Sequence, residues 1–281
     1  MPFSLLIPDT PGEAIQLLAE PGAPPTTVLA GGTDLLFDLS GPRPEHRRVV
    51  SLRRLPWRTV GWNGSTLSIG STAPLSDLEG DPRVRRDLPG LWSAVRAVGG
   101  VPLRHRATMG GNLARAAPVS DLIPILLALD ARVHLIGVGG PRTLSVSELI
   151  RGPRSTALGP AELIESVEVP EPRPSAYLWQ RVRPANDISQ VGVAAAWSPS
   201  LGRWRIAAGG LGPVPTRMVG AESLLDTHRP TSEIVARAAV VAAEQAEVSG
   251  DKRATEDYRR RVLEVLIVRA VKSSLPAGGE P

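Results

Sequence analysis

Apolar residues along this chain switch between two spacings, and each switch marks an element. After Thr10-Pro11-Gly12-Glu13, the apolar positions Ala14, Leu17 and Leu18 form one helical stripe. The threonine and the glutamate three residues later read as a capping box, with proline at the first helical position. Thr26 to Leu29 and Val49-Val50-Ser51-Leu52 read as strands, and Leu67-Ser68-Ile69-Gly70 alternates as a third. Leu91 to Val98 has helical spacing and stops at Gly99-Gly100. Ser120-Asp121 should cap an apolar helix through Leu129, after which Val133 to Ile136 and Leu163 to Val169 return to strand.

Pro170-Glu171-Pro172-Arg173-Pro174 breaks the pattern and reads as a linker or exposed edge, because alternating prolines continue neither a helix nor a central strand. Strand-like runs follow at Tyr177–Val182, Ser189–Trp197 and Arg203–Leu211, as in an antiparallel meander. Two helices close the chain, Glu233 to Glu247 and Thr255 to Lys272, and residues 276–281 read as a frayed tail. A mixed part, a proline hinge, a small sheet and then helices make an α+β pattern rather than one doubly wound sheet.

With 281 residues, two or three domains are expected. The chain has no cysteine, which excludes disulfides, thiol nucleophiles and iron–sulfur ligation by its own residues. His46, His105, His134 and His228 are too scattered to suggest a metal centre, so none is expected. No apolar run reaches transmembrane length and no basic stretch opens a signal peptide, so the expected location is cytoplasmic. The net charge is +4, carried by arginine, since Lys252 and Lys272 are the only lysines. Arg47-Arg48, Arg53-Arg54, Arg85-Arg86 and Arg259-Arg260-Arg261 are mixed with acids and lack interleaved aromatics, which argues for solvated faces or protein interfaces and against nucleic acid.

The candidate chemistry lies in two glycine turns. Ala30-Gly31-Gly32-Thr33-Asp34 follows the strand ending at Leu29, and Thr108-Met109-Gly110-Gly111-Asn112 leads toward Asp121. Adjacent glycines let backbone approach a ligand closely, so successive N–H groups can converge on an anion. Thr33 and Thr108 add hydroxyls, Gly110 and Gly111 should supply N–H donors, and Asn112 can donate and accept. Asp34 suits a phosphate poorly and is expected to point away or cap the Leu35-Leu36-Phe37 turn. Asp121 either caps its helix or accepts bonds from sugar hydroxyls. The Rossmann G-x-G-x-x-G fingerprint is absent, and no catalytic triad, carboxylate pair or nucleophile stands out.

The run from Thr108 to Asp121 closely resembles the FAD-binding subunits of molybdenum hydroxylases, such as the carbon monoxide dehydrogenase medium subunit and the xanthine dehydrogenase flavin subunit. Leu29 to Leu36, Val101 to Arg106, Arg183 to Gly192, Gly209 to Arg217 and Gly250 to Arg259 match further signatures in order. The resemblance implies a vanillyl-alcohol-oxidase-like (PCMH-type) fold. Two FAD-binding subdomains, 1–56 and 57–172, would clamp the cofactor. A C-terminal domain, 176–276, would carry a three-stranded sheet and a helical bundle. It also implies that Ala30, Gly31, Gly32, Thr33, Asp34, Thr108, Gly110, Gly111 and Asn112 flank the pyrophosphate, that Asp121 holds hydroxyls on the flavin side, and that Ile164 and a residue at Gln180 or Arg181 line the flavin. The family often has lysine near that last position; this chain has none there.

The implied function is electron transfer within a complex. Electrons would come from a 2Fe-2S small subunit beside a molybdopterin-binding large subunit and leave to NAD, quinone or oxygen. The alternatives are a flavin-free scaffold subunit and a free-standing FAD oxidoreductase. The first is disfavoured by the intact glycines, the second by the lack of a substrate acid or base.

Overall fold

The computed structural model describes residues 3–40, 47–183 and 186–275. The expected tail at 276–281 lies outside them, as do Pro184 and Ala185 of the hairpin signature. The chain opens with β1 (Ser4–Leu6), α1 (Pro11–Ala19), β2 (Thr26–Leu29), α2 (Leu35–Leu39) and β3 (Arg48–Ser51). These strands form a parallel sheet in the order β1-β3-β2. α1 covers it, burying Ala14 and Ile15 with Val50, Leu52, Leu55 and Trp57. Thr10 caps α1 by accepting from Glu13 N–H at 3.2 Å, but the glutamate carboxylate reaches back to Asp9 N–H, not to Thr10. The expected capping box is therefore only half formed. A complete one occurs at Ser145/Glu148.

The middle of the chain supplies β4 (Val60–Asn63), β5 (Thr66–Gly70), α3 (Leu75–Gly80), α4 (Pro82–Asp87), α5 (Pro89–Ala97), α6 (Val101–Arg104), α7 (Met109–Arg115) and α8 (Leu122–Ala128). Then come β6 (Arg132–Gly137), β7 (Gly140–Ser145), α9 (Val146–Leu149), β8 (Ile150–Gly152), β9 (Ser155–Thr156) and β10 (Leu163–Val169). A five-stranded antiparallel sheet runs β4-β5-β10-β6-β7. Every residue of α8 is buried, so this helix is apolar all round because it sits in the core, not at the surface.

The last part contains β11 (Ser175–Gln180), β12 (Val191–Ser198), β13 (Arg203–Gly209), β14 (Thr216–Arg217), α10 (Val219–Thr227), α11 (Ser232–Gln245) and α12 (Glu256–Ser273). The meander is antiparallel as its alternation implies, and the two-residue β14 adds a fourth strand to the three expected. Side chains of β12 alternate between two cores. Ala194 and Ala196 pack toward α8 and the central core, whereas Val191, Val193 and Ala195 face the C-terminal helices. A strand covered on both faces is apolar throughout, which is why its run is continuous.

Two expectations need correction. The Pro170–Pro174 segment is not a free linker. Its carbonyls accept from Thr66 Oγ1 and Trp197 N–H, and Arg173 N–H donates to Asp87 O. Proline removes a donor but leaves an acceptor, so the segment is pinned on both sides. The buried Arg173 guanidinium bonds Asp130, Glu171 and the Ala128 carbonyl. Nor are all the arginine clusters solvated. Arg48 and Arg259 are buried, Arg48 against Glu20 and the Leu17 carbonyl, Arg259 against Asp251 and the Gln190 and Gly210 carbonyls.

Candidate functional site

The turn after β2 and the turn before α7 meet. A β-carbon on Gly31 would lie 1.9 Å from the Arg106 carbonyl oxygen and 3.2 Å from the Ala107 α-carbon, so only glycine permits this approach. Gly32 follows with a φ of +82°, a conformation other residues rarely adopt. Arg115 at the end of α7 bonds Asp38 in α2 at 2.7 Å, a second tie between the two turns.

The first turn leaves its donors unused. The N–H groups of Gly31, Gly32, Thr33 and Asp34 reach no acceptor among the described residues. Backbone donors left open in succession form a concavity suited to an anion. Asp34 does not cap α2. Its backbone is already helical, φ −98° and ψ −49°, rather than extended as a capping residue requires, and its side chain is exposed.

The second turn behaves differently. Thr108 is extended and caps α7, with Oγ1 accepting from Gly111 N–H at 3.1 Å. Gly110 N–H donates to the Ser71 carbonyl at 3.2 Å, and Asn112 N–H donates to the Thr108 carbonyl. The expected donors Gly110 and Gly111 are thus consumed, because Met109–Arg115 is helical and its first amides need partners. Gly110 instead permits close packing, since a β-carbon there would lie 2.6 Å from Ser71 Cβ. A β-carbon on Gly111 would meet, among the described residues, only the Thr108 hydroxyl, at 3.0 Å. The Asn112 side-chain oxygen accepts from Ser120 Oγ at 2.6 Å.

Ser71 joins the second turn to β10. Its N–H donates to the Glu165 carbonyl, its carbonyl accepts from Gly110, and its buried hydroxyl has no partner among the described residues. An unpaired buried hydroxyl costs about 1–3 kcal/mol, so it points to a bound group or water. Ile164 precedes Glu165, is buried in the central core, and stands where β10 shifts register against β6.

Asp121 does not cap α8. Ser120 does, its Oγ accepting from Leu122 and Ile123 N–H. This frees Asp121, which accepts from Tyr177 Oη at 2.7 Å, Ser189 Oγ at 2.6 Å and Arg181 Nη2 at 2.8 Å. Arg181 also donates to Ser189 Oγ and the Ala97 carbonyl, and lies 5.2 Å from the Trp179 ring. Its Nε and Nη2 are therefore committed within the protein. Burial pushes the Asp121 carboxyl up, against the pull of Arg181 and the two hydroxyls. Burial, with Asp121 beside it, holds the Tyr177 phenol well above its ordinary value, so it stays neutral.

The structure therefore brings the two glycine turns together and sets Asp121 one residue from the serine that bonds Asn112. Ser71, Tyr177 and Ser189 escape sequence reasoning as site residues. One signal was available for Tyr177: it shares the Trp179 and Arg181 strand face at period two, and it stacks on Trp179 with ring centroids 5.8 Å apart.

Residues 1–172 match the family model described as the FAD binding domain in molybdopterin dehydrogenase, and residues 176–274 match the CO dehydrogenase flavoprotein C-terminal domain. A putative xanthine dehydrogenase FAD-binding subunit of Escherichia coli (strain K12) is 28% identical, aligned over 96% of this chain and 95% of that protein. The carbon monoxide dehydrogenase medium chain of Hydrogenophaga pseudoflava is 29% identical over 97% and 96%. A solved carbon monoxide dehydrogenase of that organism superposes with a TM-score of 0.88 at 28% identity, covering 98% of this chain and 97% of its own. Quinoline 2-oxidoreductase from Pseudomonas putida 86 gives a TM-score of 0.89 at 26% identity, covering 99% and 98%. The chain is therefore a member of the family of FAD-binding subunits of molybdenum hydroxylases, oxidoreductase subunits whose cofactor is FAD.

Proposed function

We propose that this chain is the electron-transfer subunit of a molybdenum hydroxylase complex, between a 2Fe-2S small subunit and an external acceptor such as NAD, a quinone or oxygen. A molybdopterin-binding large subunit would carry the substrate chemistry. The observation that carries this reading is the run of unused N–H donors at Gly31–Asp34, held against the second glycine turn. That run and the orphaned Ser71 hydroxyl fit a diphosphate-bearing cofactor. When bound, FAD exchanges single electrons with a metal centre and pairs of electrons with an acceptor.

The backbone from Ala30 to Asp34 would hold the pyrophosphate, with the Thr33 hydroxyl beside it. Thr108 and Asn112 would flank it, while Gly110 and Gly111 keep the second turn close and open. Asp121 would accept a polyol hydroxyl, and Ile164 would form an apolar wall. Arg181 would act through Asp121. Residues 1–56 and 57–172 would clamp the cofactor, and 176–276 would close the site. With no cysteine in the chain, cluster ligands must come from the partner.

The test is the absorption spectrum of the purified chain, with acid-released cofactor identified. One FAD per chain supports the reading. A colourless protein that takes up no FAD, alone or in its complex, would leave a scaffold subunit.

A further inference from the structure

The three groups that hold Asp121 all come from the C-terminal part of the chain. Tyr177 is in β11, Arg181 follows it, and Ser189 precedes β12, while Asp121 opens α8. A carboxylate offers about four acceptor positions. Oδ1 takes the Tyr177 and Ser189 hydroxyls, and Oδ2 takes Arg181 Nη2. One position on Oδ2 is left over, and the side chain keeps 11% exposure. Ser189 relays charge as well, accepting from Arg181 Nε at 3.1 Å while donating to Oδ1.

The fit around Tyr177 is tight. A β-carbon on Gly192 would lie 2.2 Å from Tyr177 Oη, so glycine there makes room for the hydroxyl to reach Asp121. The phenol is otherwise fully buried.

We propose that Tyr177 and Ser189 are positioning residues for cofactor binding: their hydroxyls orient Asp121 so that its spare Oδ2 position can accept a hydroxyl of bound FAD. This rests on the reading that the chain binds FAD. Burial opposes ionisation of Asp121, and the groups that counter it are Tyr177, Ser189 and the Arg181 cation. Removing one hydroxyl withdraws part of that support and moves the carboxyl further up. FAD should then be lost at a higher pH on the acid side.

The experiment is FAD titration of the apo chain, followed by flavin fluorescence, across a series of pH values from neutral into acid. Tyr177→Phe keeps the ring and should bind FAD about five- to tenfold more weakly at neutral pH, the worth of one buried hydrogen bond. Its acid limb should move up by about one pH unit. Ser189→Ala should shift the limb in the same direction. Unaltered affinity and limb in both variants, at unaltered melting temperature, would overturn the proposal. So would a loss that is the same at every pH, which marks a packing role. Failure of the wild-type chain to bind FAD at any pH, alone or in its complex, would instead overturn the reading beneath it.

Discussion

The two glycine turns look alike in sequence and differ in what their backbone does. Each has adjacent glycines and a threonine. In the first, the N–H groups from Gly31 to Asp34 reach no acceptor among the described residues, and the missing side chain of Gly31 lets the turn lie against Arg106. In the second, Gly110 and Gly111 spend their N–H groups on Ser71 and Thr108. The difference arises because α7 begins at Met109, directly after the threonine, whereas α2 begins at Leu35, after the first turn is complete. A helix start consumes or directs its first donors, while a turn before one leaves them available. Glycine pairs therefore show where backbone can approach, not which partner its donors will take.

Substitutions separate these roles. The largest effect is expected for Gly31→Ala, because the added carbon meets backbone at Arg106 and neither side can yield. It should cost about 3 kcal/mol of stability and abolish FAD uptake. Urea denaturation together with cofactor content measures both, and a variant that melts and binds like wild type contradicts the contact between the turns.

Gly110→Ala comes next. Its new carbon would crowd Ser71 at 2.6–2.7 Å, costing about 2 kcal/mol in the same denaturation assay. Gly111→Ala is the discriminating case. Only the Thr108 hydroxyl lies near, and alanine favours a helix, so stability should stay within about 1 kcal/mol of wild type. FAD affinity should nevertheless fall about tenfold if the cofactor lies over Gly111, since ~1.4 kcal/mol of crowding is enough. Titration showing unaltered affinity would move the cofactor off that turn.

The smallest effect provides a background for acid experiments. Arg142 holds the Glu162 carboxyl below its ordinary value, and Gly159 N–H adds to this. A carboxyl lowered in the folded state contributes stability above its unfolded value, and that contribution is lost as pH falls through the folded one. Melting temperature should therefore fall toward acid with no involvement of either turn. In Glu162→Gln that fall should be shallower, and an identical slope would contradict the assignment.

Much of the fold was legible because local patterns carry it. The alternation before Gly70, the helical stripe before Gly99 and the apolar run of β12 each announced their element. The two-residue β14 is too short to show a period, and α10 carries Gly220 and starts after Met218 with no side-chain cap. At the site, the turns were readable from their glycines. The fate of the Gly110 donor was not, since it goes to Ser71, just past the end of β5. Asp121 was legible as a candidate, but its partners lie 56, 60 and 68 residues along the chain. Contacts of that separation leave no local trace.

Amide hydrogen exchange with and without FAD tests the contrast between the turns most directly. The account predicts that cofactor slows exchange at Gly31, Gly32, Thr33 and Asp34, whose N–H groups are open, and changes little at Gly110 and Gly111, which are already bonded. New protection at Gly110 and Gly111 with none from Gly31 to Asp34 would contradict it.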